Sequence, residues 1–234
     1  MNKNTNFETY LILNSKYFLI TVIRKLNNEL IYEDKKMIND VSKKLDLNLL
    51  NNFLKNNVFE IEKKIGSFLN NIFLVIDSDV FFSVKISIKK NYNGDFITLE
   101  SLNYLLNETK KDCNKTILGR KIVHIIIDNY IIDKENYSIL PDNKRCDFLS
   151  LDINFLCLSN EYIKDLEDVF KKYHILISKI FSANYMRSLF SQNEHDLTKM
   201  AAQVKDGHNI NEVILVEKKH ENKGFFEKFF HFFR

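Results

Sequence analysis

In Ile72-Phe-Leu-Val-Ile-Asp-Ser-Asp-Val-Phe-Phe-Ser-Val-Lys-Ile-Ser-Ile88 two strand signatures stand side by side. Ile72–Ile76 is an unbroken apolar run, whereas Phe81–Ile88 sets Phe82, Val84, Ile86 and Ile88 against Phe81, Ser83, Lys85 and Ser87. That period of two belongs to a half-buried strand, because successive side chains leave opposite faces of a sheet. Downstream, Tyr92-Asn93-Gly94-Asp95 reads as a turn, and Thr98 with Glu100 and Ser101 opens a helix through Leu102, Leu105 and Leu106. Ile122–Ile132 and Leu149–Leu158 are two further strands, Ser159 with Asn160 caps a helix reaching about Tyr173, and Ile175–Phe181 closes the series. Strands and helices in this order predict an α+β fold with a mainly antiparallel sheet from Ile72 onward.

Upstream, Thr9–Leu13 and Tyr17–Arg24 are β-branched and aromatic runs joined by Asn14-Ser15-Lys16, and Glu29–Glu33 follows as a third strand. From Asp46 to about Leu69, Leu49, Leu50, Phe53, Leu54, Val58, Ile61 and Ile65 recur at three- and four-residue steps, which predicts a long amphipathic helix, weakest around Asn56-Asn57. After Phe190 the pattern loosens. Asp196–Val204 fits a short helix and Val213–Val216 a short strand, and no internal repeat is visible.

The 234 residues are 45% hydrophobic and 28% charged, enough apolar material for one or two small domains. With 34 basic against 31 acidic residues, scattered along the chain, charge does not imply a nucleic-acid partner. Cys113, Cys146 and Cys157 form neither a disulfide framework nor a zinc spacing, which points to a reducing compartment. No leader peptide and no uninterrupted apolar run of membrane-spanning length is seen, so the expectation is a cytoplasmic protein.

The last residues, Gly224-Phe-Phe-Glu-Lys-Phe-Phe-His-Phe-Phe-Arg234, restrict behaviour more narrowly. At ~100° per residue, Phe225, Phe226, Phe229, Phe230, Phe232 and Phe233 share one face of a helix, with Glu227, Lys228, His231 and Arg234 opposite. So short a helix is marginal in water and requires a surface. Burying each aromatic ring contributes roughly 1.5–3 kcal/mol before ordering costs. A membrane surface is the leading expectation, with Lys228 and Arg234 adding modest attraction at the headgroups; a partner's groove and the protein's own core are the alternatives.

Candidate chemical groups are few. Five glycines and one proline are scarce for a chain that wraps phosphates. Asp77 and Asp79 read as a solvated turn in preference to metal ligands, Asp128 and Asp133 as a strand edge or turn, and His124 as a core histidine with satisfied ring nitrogens. The remaining histidines show no metal spacing, and no serine or cysteine sits in a nucleophile pattern. The expectation is no catalysis, no cofactor and no metal.

Between Ile122 and Pro141 the sequence resembles the FtsA bacterial cell-division proteins, membrane-associated relatives of actin. The likeness is carried by His124 within Ile122-Val-His-Ile-Ile126, by Tyr130, Ile132 and Asp133, and by Pro141. The resemblance implies a partial actin-like, ribonuclease H-like lobe (8–70 and 175–190), an inserted α+β subdomain (71–174), a polar linker (191–223) and a membrane-targeting helix (224–234). It also implies a phosphate-binding first hairpin and a second glycine-rich phosphate loop. Here Asn14-Ser15-Lys16-Tyr17 stands in the first place and Ser182–Phe190 in the second, both without glycine. Most of a second lobe, with the family's surface for FtsZ, has no counterpart, so FtsZ binding by that surface is not expected. The functional expectation is a non-enzymatic adaptor or scaffold of cell division at the inner face of the membrane, bound to other division proteins or to itself. The alternatives are an interaction module of another membrane assembly, similar to actin-related pilus-assembly proteins, and a diverged actin-like ATPase.

Overall fold

The computed structural model describes residues 6–38, 45–190 and 194–214. The chain opens with β1 (Phe7–Asn14), β2 (Tyr17–Arg24) and β3 (Leu30–Met37), followed by α1 (Leu47–Ile65), β4 (Asn71–Asp77) and β5 (Phe82–Asn91). Then come α2 (Leu99–Thr116), β6 (Arg120–Ile132), β7 (Glu135–Tyr137), β8 (Phe148–Ser159) and α3 (Asn160–Lys171). β9 (Leu176–Ser182), α4 (Ala183–Leu189) and α5 (Leu197–Lys205) complete the series.

These strands make two sheets. The first has the order β3-β2-β1-β4-β9, with β1–β2 and β2–β3 antiparallel and β1–β4 and β4–β9 parallel. The second, β5-β8-β6-β7, is antiparallel throughout. Three antiparallel strands continued by two parallel ones, with helices on both faces, agree with the partial actin-like, ribonuclease H-like lobe that the sequence resemblance implies. The fold is α+β.

β4 explains why one expected sheet is two. Leu74, Val75 and Ile76 are all fully buried, because α1 and α3 cover one face of the first sheet while α4 and α5 cover the other. A strand covered on both faces reads as a continuous apolar run, and parallel strands need such cover. β5 instead packs Val84, Ile86 and Ile88 toward α2 and exposes Ser83, Lys85 and Ser87. The subdomain boundary expected at residue 71 is therefore displaced: β4 belongs to the lobe. So does α3, whose Ile163, Leu166, Val169 and Phe170 share a core with α1. The inserted unit runs from about residue 78 to 159, with its own core of α2 against β6 and β8.

Local chemistry fixes the helix ends. Asp46 accepts from the Asn48 and Leu49 amides at 2.9 Å each, Thr98 and Ser101 form a reciprocal capping box, and Ser159 caps α3 through the Tyr162 amide. Asn57, the weak point of the α1 pattern, is buried and engaged. Its amide donates to Asp34 and to the Phe53 carbonyl at 2.9 Å each, and it accepts the Tyr32 hydroxyl at 2.6 Å, tying α1 to β3. Of the expected strand Val213–Val216, residues 215 and 216 lie outside the described residues; just before it, an isolated bridge joins Glu212 to Ile126 of β6.

Candidate functional site

In open sheets with parallel strands, ligands meet the carboxyl ends of those strands. Here those ends belong to β1, β4 and β9, and three side chains converge there. Arg187 of α4 makes a two-pronged bond to Asp77 at the end of β4, Nη1 to Oδ1 at 2.6 Å and Nη2 to Oδ2 at 2.7 Å. Asn14, ending β1, donates to Asp77 Oδ2 at 2.7 Å and accepts the Lys16 amide at 2.8 Å. Asp77 is thus no solvated turn. Its side chain is 10% exposed; burial acts to raise its pKa, but the Arg187 guanidinium and the Asn14 amide outweigh it and hold the carboxyl below its usual range. Such paired, charge-assisted bonds are strong and directional. Asp79 accepts from Asn184 at 3.3 Å.

α4 is what the sequence reading missed. Ser182–Phe190, the place of an expected loop, is a short helix capped by Ser182, whose hydroxyl accepts the Tyr185 amide. Beside it, a cavity of about 300 Å³ lies between the lobe and the inserted sheet, lined by Ser78, Asp79, Asn154, Ser182, Asn184 and Tyr185 among others.

A second cluster holds the chain's later residues to the body. His124 on β6 is buried, with Nδ1 3.0 Å from Glu212 Oε1 and Nε2 accepting the Ser182 amide at 3.2 Å. The acceptor role at Nε2 fixes the neutral ring with its proton on Nδ1, donated to Glu212. Glu212 also accepts from Lys179 at 3.1 Å and from Tyr185 at 3.0 Å, and Tyr185 accepts from Asn209 at 2.9 Å. Burial keeps His124 below its ordinary range. Burial pushes Glu212 upward, yet its hydrogen bonds and the Lys179 ammonium leave it well below the carboxylate norm. His124 is the satisfied core histidine that the sequence suggested, and it has no lone pair left for acid–base work.

The other sequence candidates are also accounted for. Asp128 lies 4.0 Å from Lys85, and Asp133 accepts the Asp147 and Phe148 amides in the β6–β7 turn. The three cysteines are buried thiols, and burial pushes Cys157 up to about 11, far from a reactive thiolate. Among the described residues no group of three metal-ligating side chains occurs, and no helix is long and apolar enough to cross a membrane. Phe225, Phe226, Lys228, Phe229, Phe230, Phe232, Phe233 and Arg234 lie outside the described residues.

No protein-family profile and no curated protein sequence matches the chain. Solved structures do. A PilM–PilN type IV pilus biogenesis complex aligns with 76% of this chain and 48% of its own at 5% identity, with a TM-score of 0.48. A Bacteroides thetaiotaomicron protein of actin-like ATPase fold and unknown function aligns over 79% and 55% at 14% identity, TM-score 0.34. The cytoplasmic domain of EpsL, an inner membrane component of the Vibrio cholerae type II secretion system, aligns over 81% and 61% at 9% identity, TM-score 0.39. The chain thus spans roughly half to three fifths of the solved chains it is similar to.

Proposed function

We propose that this chain is a non-enzymatic, actin-like adaptor that works at a membrane surface, FtsA-like in its finer reading. It is held to the cytoplasmic face by the Phe-rich stretch 224–234 and joined to division proteins or to copies of itself. The observation that carries the non-enzymatic part is the Arg187–Asp77–Asn14 clamp. Phosphate binding at these strand ends needs free backbone amides and a carboxylate available to a metal's water shell. Asp77 is instead neutralised by a guanidinium, and the Asn14 amide is spent on Asp77. The membrane part rests on the one-sided array of six phenylalanines in the tail sequence.

Two measurements test the reading. Co-sedimentation with liposomes, at two protein concentrations, compares the intact chain with one ending at Lys223; only the intact chain should pellet, more steeply at high concentration, as avidity requires. Equal pelleting of both forms, or of neither, removes the membrane part, and retention of the tail by a protein partner alone would favour a module of another membrane assembly. Titration with magnesium and ATP should give no saturable signal. Saturable, magnesium-dependent binding would restore the ATPase reading.

A further inference from the structure

A cavity of about 610 Å³ lies on the face of the first sheet away from α1. Its floor is Leu19 and Ile23 of β2 with Ile12 of β1; one wall is the flank of α5 at Ala202, and the other is Leu30 of β3. α5 covers β1 and β4 but leaves this β2–β3 strip open, so Leu30 is 54% exposed. Its rim is polar and charge-matched: Asp196 lies 3.9 Å from the Lys199 ammonium, Asp206 3.1 Å from that of Lys205, and Glu33 is joined there by Lys35, which stands over the Tyr17 ring. The result is an apolar-floored groove with a charged edge, of the size that takes a short amphipathic segment.

We propose that this groove seats the chain's own Phe-rich stretch, Gly224–Arg234, when no lipid is present. Reach permits it. Ile214, the last described residue, borders the same small cavity as Lys205 at the end of α5, and Asp206 beside it already lines the groove. Residues 215–223 extend at most roughly 30 Å, while the nine-residue α5 is about 13 Å long, so the tether spans the groove's length. Chemistry matches as well. The stretch offers a phenylalanine face to an apolar floor, and its polar face to a rim of charged side chains. A partner in solution must supply its own concentration, whereas a segment on a short tether acts at an effective concentration of about millimolar. Groove and membrane then compete for one face. The inference rests on the amphipathic reading of the tail and not on its use of lipid.

The chain contains no tryptophan, so Phe229→Trp gives a single fluorescent reporter. In lipid-free protein its emission should be blue-shifted and shielded from acrylamide, independently of protein concentration. Ala202→Arg and Leu30→Arg, added separately, should each expose the reporter and raise liposome affinity about tenfold, the factor set by a nine-tenths occupied competing state. Leu30 is exposed, so its replacement leaves the core intact. An exposed reporter in the lipid-free parent, shielding that survives both groove variants, or shielding that fades on dilution would each overturn the proposal. Shielding without any liposome binding would leave the groove standing and remove the membrane reading; liposome binding with an exposed reporter does the reverse.

Discussion

Glu212→Ala should destabilise the fold severely, because one carboxylate serves three donors. Removing it leaves the His124 Nδ1–H, the Lys179 ammonium and the Tyr185 hydroxyl without their acceptor in a largely buried site. Breaking a buried charge network in this way costs about 3–5 kcal/mol. Lys179 is 24% exposed and regains some water, which argues for the lower end, about 3 kcal/mol. At about 2–4 °C per kcal/mol for a chain of this size, the melting temperature should fall by about 6–12 °C in calorimetry. Glu212→Gln, which keeps shape and an acceptor, should lose roughly half as much. The pH dependence follows from the same cluster. His124 and Glu212 both have lowered pKa values in the folded state, so the unfolded chain takes up protons first and acid destabilises. The His124 contribution is complete above about pH 6.5 and declines as pH falls below it; that of Glu212 is complete above about pH 4.3 and declines below. Glu212→Gln should abolish the lower arm and keep the upper one. A fall of less than about 2 °C for Glu212→Ala, or an unchanged acid limb in Glu212→Gln, would refute the view that this cluster clasps residues 209–213 to the body.

Other substitutions probe other links. Thr21 is buried with a hydroxyl that finds no partner among the described residues, so Thr21→Val should stabilise by about 1 kcal/mol in denaturant titrations; destabilisation would mean the hydroxyl is satisfied. Asn57→Ala removes the link from α1 to Tyr32 and Asp34 and should cost about 2 kcal/mol, whereas a neutral result would show that α1 docks by its apolar face alone. Phe229→Asp with Phe230→Asp should weaken liposome binding far more than Lys228→Ala, and equal effects would mean that headgroup charge holds the tail at the membrane as strongly as ring burial does.

Most of this architecture can be read from local pattern, and what escapes is non-local. The strand alternation of β5, the three- and four-residue steps of α1 and the caps at Asp46, Thr98 and Ser159 are set within a few neighbours, and each stands where the sequence puts it. The difference between the unbroken run of β4 and the alternation of β5 was also available, and it separates a strand covered on two faces from one covered on one. Arg187 was not legible: its partner Asp77 is 110 residues away, and α4 has only seven residues with no signal beyond its serine cap. Glu212 likewise sits in a polar stretch whose meaning appears only when His124, 88 residues earlier, is brought beside it. β7, three residues long, is below what any periodicity can register.

The position of the inserted unit between β4 and β9 has a consequence for synthesis on the ribosome. β4 can pair with β1 at once but cannot gain its second parallel neighbour, β9, nor α1 its partner α3, until the whole insertion has been made. At about 5–20 residues per second, roughly eighty intervening residues delay lobe closure by about 4–16 s. During that interval the antiparallel β5-β8-β6-β7 unit, whose strands are contiguous in the chain, can fold by itself, while the apolar edge of β4 waits for its mate. Nascent-chain proteolysis should therefore find the later-numbered sheet protected before the first one.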